Sequence, residues 1–185
     1  RPKEIVHQFT LSMRRELDLA AECRNAERMM TNFNDEPNIV FPKVYWQWTS
    51  ERINVQELII GIPGHDLAAV TKAGLDKKLL ASRGAEAILK MILEDGFFHA
   101  DPHPGNCFYL IDNRIAFIDF GMVGRLSEDR RNQVIKLLRG LVNKDSSRVV
   151  KVLLQWSDAR SLQHKESLLL DMDDFIDQYH DIPLK

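Results

Sequence analysis

FFHADPHPGNCFYL, residues 97–110, places Asp101 between two histidines and Asn106 five residues further on. The segment AFIDFG, residues 116–121, brings a second aspartate, Asp119, thirteen residues after Asn106. Two prolines and a glycine between Asp101 and Asn106 bend and stiffen the intervening loop. The side chains of Asp101 and Asn106 can therefore point at a common centre, and we interpret these two residues and Asp119 as parts of one site.

The order of these polar residues matches the phosphoryl-transfer signature of protein kinases: an aspartate, an asparagine five residues later, and then Asp-Phe-Gly. Phosphoryl transfer requires Mg²⁺ to bridge phosphate oxygens, and Mg²⁺ takes few protein carboxylates. Asp119 and the amide oxygen of Asn106 are predicted to hold Mg²⁺. Asp101 is predicted to orient or deprotonate the nucleophile.

Two other interpretations of the same loop remain open. His99, Asp101 and His103 alternate along the chain and could together ligate a metal ion, although that site would leave Asn106 without a role. Alternatively, the loop is a turn in which Asp101 and Asn106 cap neighbouring backbone groups. A lone motif would favour the turn, whereas two motifs in order, joined by a short predicted hairpin, favour the kinase-like site.

Composition limits the function classes. The chain has 185 residues, of which 44% are hydrophobic, and a net charge of −2. This size permits one domain, or one lobe and part of another. The near balance of 25 basic and 27 acidic side chains argues against a nucleic-acid-binding surface. No apolar run reaches the ~18 residues of a membrane span, no signal peptide is recognisable, and Cys23 and Cys107 are predicted to be reduced core thiols.

Hydrophobic periodicity predicts an α+β organisation. Helices are predicted over residues 3–33, 75–95, 127–143, 145–157 and 161–179. Alternating β-branched and aromatic residues predict two hairpins, one from 44–48 and 53–59 and one from 107–111 and 114–119. The best internal boundary lies at Gly61, Pro63 and Gly64. The helix over 75–95 is predicted to face the core through Leu79, Leu80, Ile88, Met91 and Ile92.

The string HADPHPGN followed by IDFG resembles the UbiB-type (AarF-like) atypical kinase family, which is associated with ubiquinone biosynthesis. RRELDLAAECRNAER, residues 14–28, is similar to that family's Glu-x-Asp motif and the glutamate that follows it. The resemblance covers residues 10–155 and implies a protein-kinase-like fold. Residues 1–60 would form a partial N-lobe, with a helix C-like helix and a β-hairpin. Residues 61–185 would form a mostly helical C-lobe that is truncated at its C-terminus.

The resemblance also implies roles for residues outside the loop. Glu16 and Asp18 match the family's regulatory Glu-x-Asp pair, and Glu22 falls where a kinase-like helix C glutamate pairs with the ATP-phosphate lysine. Adenine would meet backbone groups of the linker between lobes, at Glu57, Leu58 and Ile59. Glu27 and the acidic residues of 168–179 have no counterpart, and we interpret them as solvated helix faces.

Departures from the family pattern limit these expectations. The family's alanine-rich nucleotide loop, the strand with the phosphate lysine and the Lys-x-Gly-Gln segment have no match and would lie upstream of Arg1. The chain alone is therefore expected to be inactive. After Gly121, the segment MVGRLSEDRRN leads almost directly into a predicted helix, and Ala100 stands where protein kinases have arginine. Both features disfavour a protein substrate.

The resemblance implies an ATP- and Mg²⁺-dependent atypical kinase or ATPase that supports isoprenoid quinone synthesis. Its partners would be nucleotide, a lipid or isoprenoid quinone precursor at a membrane surface, and quinone-biosynthesis proteins. The protein would be cytoplasmic, and peripheral to or anchored at a membrane by segments outside this chain. Two alternatives remain: a small-molecule phosphotransferase of the aminoglycoside or choline kinase type, and a non-catalytic lipid-binding accessory that uses nucleotide as a switch.

Overall fold

The computed structural model describes residues 4–6, 17–157 and 165–179 of the chain. Helices predominate and short strands form two sheets, so the α+β prediction is confirmed. The chain divides into two compact units, Arg1–Arg125 and Leu126–Lys185. The lobe boundary predicted after residue 60 stays a prediction.

Helix α1 spans Leu19–Asn32, and the Asp18 side chain caps it by accepting a hydrogen bond from the Ala21 N–H at 3.0 Å. An aspartate in this position satisfies one of the unpaired N–H groups of the first turn. The continuous helix predicted over 3–33 is therefore wrong at residues 17 and 18, which are not helical, because α1 begins only after its Asp18 cap. Residues 4–6 are helical, and the prediction for 7–16 lies outside the described residues.

Six short strands occur in the described part of the chain: β1 Ile39–Val40, β2 Ile62–Pro63, β3 Phe97–His99, β4 Cys107–Tyr109, β5 Ile115–Phe117 and β6 Val123–Arg125. Four of them form a sheet in the order β1-β5-β4-β2, in which only β1 and β5 are parallel. The other two, β3 and β6, pair antiparallel in a second sheet.

The predicted hairpin after residue 106 is confirmed as the β4–β5 pair. Its turn places Asp112 and Asn113 at φ values of 64° and 59°. Tight hairpin turns require this left-handed conformation, and aspartate and asparagine tolerate it better than other side chains. The turn chemistry therefore fixes the short connection between Asn106 and Asp119.

The segment 43–57 folds back on itself but does not form the predicted strands. Two isolated antiparallel bridges join its arms, Val44 to Gln56 and Ser50 to Ile53. Between the arms Trp46–Trp48 form a turn of 3₁₀ helix, and the Trp46 indole N–H donates to the Glu27 carboxylate at 2.5 Å. The reversal and the antiparallel pairing of the first predicted hairpin are therefore confirmed, but its strands are wrong, because Trp46–Trp48 adopt a 3₁₀ turn that contacts α1. Glu27, predicted to be solvated, is half-buried.

Two further helices complete the first unit. Helix α2 spans Leu67–Lys72, and helix α3 spans Lys77–Lys90 before a wider π turn at Met91–Asp95. The helix predicted over 75–95 is confirmed from Lys77 onward, with its last five residues in the π turn. Leu80 and Met91 are buried as predicted, but Leu79 is 37% exposed. The buried face follows Leu80, Ala87 and Met91 at helical spacing, and Leu79 lies beside that stripe.

The second unit consists of α4 Glu128–Val142, α5 Ser146–Trp156 and α6 Lys165–Tyr179. These helices confirm the last three predicted ones, with residues 161–164 outside the described part. The Ser146 hydroxyl donates to the Asp173 carboxylate and so joins α5 to α6. Within the described residues, none of the helices combines the length and the apolar composition that a membrane crossing needs.

Aromatic packing anchors the site segment in the core of the first unit. Phe120, which follows Asp119 directly, is only 1% exposed. Its ring centre lies 5.7 Å from that of Phe41 and 5.3 Å from that of His99. Phe41 also contacts Phe33 and Phe117. Asp119 is therefore attached to a packed aromatic core through its neighbour Phe120.

Candidate functional site

A polar cleft of about 850 Å³ lies in the first unit. Its walls come from α1, from the loop after β3, from the segment between β5 and β6, and from β6 itself. The lining residues are Asp18, Ala21, Glu22, Asn25, Asp101, Asn106, Asp119, Gly121, Met122, Val123 and Arg125. The structure therefore brings together five of the predicted site residues, which the sequence spreads over a hundred positions.

The remaining predicted site residues do not reach this cleft or cannot be placed. Glu16 lies outside the described residues. Glu57, Leu58 and Ile59 are not among the lining residues, and Leu58 is 81% exposed. The Glu57 N–H donates to the Lys43 carbonyl oxygen at 2.8 Å. An adenine contact at this linker stays a prediction.

His99 ties the loop after β3 to the strand that leads to Asp119. Its ring is 2% exposed, with Nε2 3.1 Å from the Ile118 carbonyl oxygen and Nδ1 accepting from the Asp101 N–H at 3.2 Å. Burial lowers the pKa of this imidazole, so the ring is neutral near pH 7. The predicted His99-Asp101-His103 metal triad loses its support, because backbone groups occupy both nitrogens of His99.

Asn106 is fixed through both its side chain and its backbone. Its side-chain amide donates to the Asp101 carbonyl oxygen at 3.1 Å, and its backbone carbonyl accepts from the Ile118 N–H at 2.9 Å. The residue is 7% exposed. Because the amide nitrogen is engaged, the amide oxygen is the atom that remains for a ligand in the cleft.

Asp101 and His103 lie at the open side of the loop, where roughly half of each side chain is exposed. His103 Nε2 lies 3.6 Å from Asp101 Oδ2, and His103 Nδ1 accepts from the Gly105 N–H at 2.9 Å. The loop thus contains the local side-chain-to-backbone bonds that a simple turn would have. Asp101 nevertheless lines the same cleft as Asn106 and Asp119.

Asp119 adopts a backbone conformation that few non-glycine residues adopt. Its φ is 61°, and a residue held there stores strain that the surrounding structure must offset. Its Oδ1 accepts from the Gly121 N–H at 3.2 Å, which provides part of that compensation. Such strained residues cluster at functional sites.

Glu22 faces Asp119 from helix α1. Burial is the larger cause that raises the pKa of Glu22, and repulsion from Asp119 adds to it, while a backbone hydrogen bond with Phe120 acts in the opposite direction. The Asn25 side chain also donates to the Phe120 carbonyl oxygen at 3.0 Å. Helix α1 is thus attached to the Asp119–Gly121 segment, with two carboxylates left facing one another.

Three lining residues add roles that the sequence did not indicate. Asp18 caps α1 and accepts from Arg24 at 3.2 Å, so part of its role is structural. Asn25 lies one helical turn after Glu22, and that spacing was the available signal for its place in the cleft. Arg125 is the sole cation among the described residues of the lining, and nothing in its local sequence distinguishes it.

The donor set suits Mg²⁺. Asp119 supplies a carboxylate and Asn106 an amide oxygen, while phosphate oxygens and water normally complete such a sphere. Within the described part of the chain no three His, Cys, Asp or Glu side chains form a metal cluster. A cation bound here would also relieve the repulsion between the Glu22 and Asp119 carboxylates.

Fold and site together define a kinase-like protein. Residues 1–153 match the family described as ABC1 atypical kinase-like domain. The chain belongs to this family, and the resemblance seen in the sequence is confirmed.

Curated relatives point the same way. The probable protein kinase UbiB of Marinobacter nauticus is 35% identical over 158 residues, which are 83% of this chain and 29% of that protein. The chloroplast protein ACTIVITY OF BC1 COMPLEX KINASE 1 of Arabidopsis thaliana is 40% identical over 141 residues, which are 76% of this chain and 21% of that protein. The chain thus spans less than a third of the length of either relative.

A solved structure, that of Rv3197 in complex with erythromycin from Mycobacterium tuberculosis, resembles the chain with a TM-score of 0.71. The two are 22% identical, and the match covers 97% of this chain and 44% of the other. At this identity the likeness shows the fold alone, and the predicted protein-kinase-like fold is confirmed.

Proposed function

We propose that the complete protein containing these 185 residues binds Mg·ATP in the polar cleft and uses it for phosphoryl transfer or ATP hydrolysis. The observation that supports this most directly is the convergence of Asp101, Asn106 and Asp119 on one cleft, in the order of the kinase signature. Membership of the ABC1 atypical kinase-like family supports it independently.

Each residue receives a role in this proposal. Asp119 and the Asn106 amide oxygen hold Mg²⁺, which, when bound, neutralises charge on the phosphates. Asp101 orients or deprotonates the attacking hydroxyl or water from the open side of the cleft. Glu22 pairs with the ATP-phosphate lysine that the family resemblance implies, and that lysine positions the α- and β-phosphates. Asp18 fixes the start of the helix that carries Glu22.

The proposed acceptor is a small molecule, lipid or water. Only residues 122–127 separate Gly121 from helix α4, and β6 occupies three of them. That leaves little chain for a segment that would dock a peptide. By analogy with the relatives named UbiB, we propose a role in isoprenoid quinone synthesis at a membrane surface, together with other proteins of that pathway.

Asp101→Asn tests this assignment in the complete protein. The substitution keeps the size of the side chain but removes the basic carboxylate, so turnover should fall by roughly two to four decades while ATP still binds. Phosphate release and nucleotide affinity are measured on the same preparation. Asp35→Asn, which removes an exposed carboxylate in the loop after α1, is the control and should leave both unchanged.

Loss of ATP affinity with normal turnover per bound nucleotide would contradict the role of Asp101. Asp101 would then be a metal-binding or structural residue.

A further inference from the structure

Two arginines from different elements meet on one buried phenylalanine. The guanidinium carbon of Arg28, on α1, lies 4.2 Å from the ring centre of Phe97, and that of Arg125, on β6, lies 5.3 Å from the same centre. Phe97 is 0% exposed, whereas both arginines are exposed. The two cations are therefore held no farther apart than the sum of those distances.

One member of this arginine pair, Arg125, lines the polar cleft. Arg28 follows the lining residue Asn25 by three positions on α1, about 60° around the helix from it. Arg28 itself is not among the lining residues. The pair therefore lies at the edge of the cleft, beside the stripe of α1 that carries Glu22 and Asn25.

Both guanidinium groups contact the Phe97 ring. Among the described residues, neither guanidinium forms a hydrogen bond or an ion pair. Contact with a ring uses the face of a guanidinium and leaves its N–H donors at the edge. Two such forks around one ring can donate hydrogen bonds to a tetrahedral oxyanion from two sides.

We propose that Arg28 and Arg125 form a binding site for a phosphate monoester group, separate from the metal-binding residues. The two positive charges match a phosphate dianion, and the phenyl ring pre-organises both side chains, which reduces the conformational entropy lost on binding. The site needs no metal, so it does not depend on the proposed nucleotide chemistry. The group belongs either to a soluble phosphate compound or to a lipid headgroup.

The test is calorimetric titration of the 185-residue chain with inorganic phosphate in the presence of EDTA. Wild type should bind phosphate saturably. Arg28→Met/Arg125→Met keeps apolar stems on Phe97 but removes both forks, and it should weaken binding at least about tenfold, as expected for lost charge-assisted pairs. Arg52→Met/Arg130→Met makes the same change in net charge elsewhere and should bind as wild type does.

A second variant covers the case in which the methionine pair does not fold. Arg28→Lys/Arg125→Lys retains both charges and stems but lacks the planar forks, so phosphate should raise its thermal midpoint less than that of wild type. Absence of saturable phosphate binding by wild type up to about 10 mM would overturn the proposal. Equal phosphate affinity of wild type and the methionine pair would also overturn it.

Vesicles distinguish the two sources of the phosphate group. Phosphatidylcholine vesicles containing phosphatidic acid present a monoester headgroup, and vesicles with enough phosphatidylglycerol to match their charge present only a diester. Arginine-dependent binding to the first and not to the second assigns the site to a lipid headgroup. Phosphate binding without this vesicle preference assigns it to a soluble compound.

Discussion

Ionisation of the Glu22 carboxylate lowers the stability of the folded chain. Burial and the neighbouring Asp119 raise the pKa of Glu22 above 4.5. The protonated form is therefore favoured on folding, and the stability it contributes is lost as pH rises from 4.5 through the folded-state pKa. At pH 7 the chain bears the full cost, which a bound cation would remove.

Glu22→Gln should stabilise the metal-free chain at pH 7. The amide keeps an oxygen for the Phe120 N–H but carries no charge to be buried or repelled. The thermal midpoint should rise by about 2–4 °C for each kcal/mol relieved, and the gain should shrink to zero as pH falls below 4.5. Scanning calorimetry across pH measures this.

Glu27→Gln is the matched control on the same helix, since Glu27 bonds to Trp46 and lies outside the cleft lining. A Glu22→Gln chain less stable than wild type at pH 7, or a gain that does not change with pH, would contradict the electrostatic account.

At the scale of elements, the linker before α2 packs closely against the loop that carries Asn106. A Cβ atom on Gly64 would lie 2.7 Å from the Pro104 carbonyl oxygen and 3.2 Å from that of Cys107. The Gly64 N–H also donates to the Cys107 carbonyl at 2.9 Å. These neighbours are backbone atoms, which cannot rotate away, so the linker and the loop have to move together.

Gly64→Ala should therefore destabilise the chain by about 1–3 kcal/mol, the usual cost of overpacking. Gly84→Ala is the matched control: Gly84 lies inside α3, and its nearest neighbour would be the Ile115 Cδ1 atom at 3.5 Å. That variant should be more stable by about 0.5–1 kcal/mol, because alanine is the better helix former. Urea unfolding measures both, and equal effects would contradict the packing argument.

Local sequence patterns predicted those helices and strands whose conformation depends on residues close to them in the sequence. The β4–β5 hairpin follows from its turn residues, and the helices after residue 126 follow from apolar periodicity and capping residues. The helix break at Asp18 was not predictable from periodicity, because helix-forming residues continue on both sides of the cap. The strands expected around Trp46 do not form, and Trp46 instead donates a hydrogen bond to Glu27, nineteen positions away, a contact that the local pattern does not reveal.

At the scale of the whole molecule, the site was predictable where a motif marks it and not where distant residues meet. Asp101, Asn106 and Asp119 were found from their order and spacing, and Glu22 from a family resemblance. Arg28 and Arg125 could not be connected, because Phe97, on a third element, brings them together. The sequence contains no local sign of such a contact.

Both cysteines report on the integrity of this first unit, because each contributes to its core. Burial raises the pKa of Cys107 to about 11 and also raises that of Cys23. At pH 8 only about a thousandth of the Cys107 thiol would be ionised, so Ellman's reagent should react with neither cysteine rapidly. Both should react after denaturation, and a thiol that reacts within seconds in the native chain would contradict the packing described.

The central claim, that Asp119 and Asn106 hold the metal of Mg·ATP, is tested most directly by Asp119→Asn in the complete protein. Asparagine tolerates a left-handed backbone, as Asn113 does at a φ of 59°. Asp112→Asn, at a φ of 64°, is therefore the matched control. Calorimetric titration with Mg·ATP should show that Asp119→Asn loses at least about tenfold in affinity, with no difference from wild type in EDTA and no change for Asp112→Asn. Equal Mg·ATP affinity of Asp119→Asn and wild type would contradict the account.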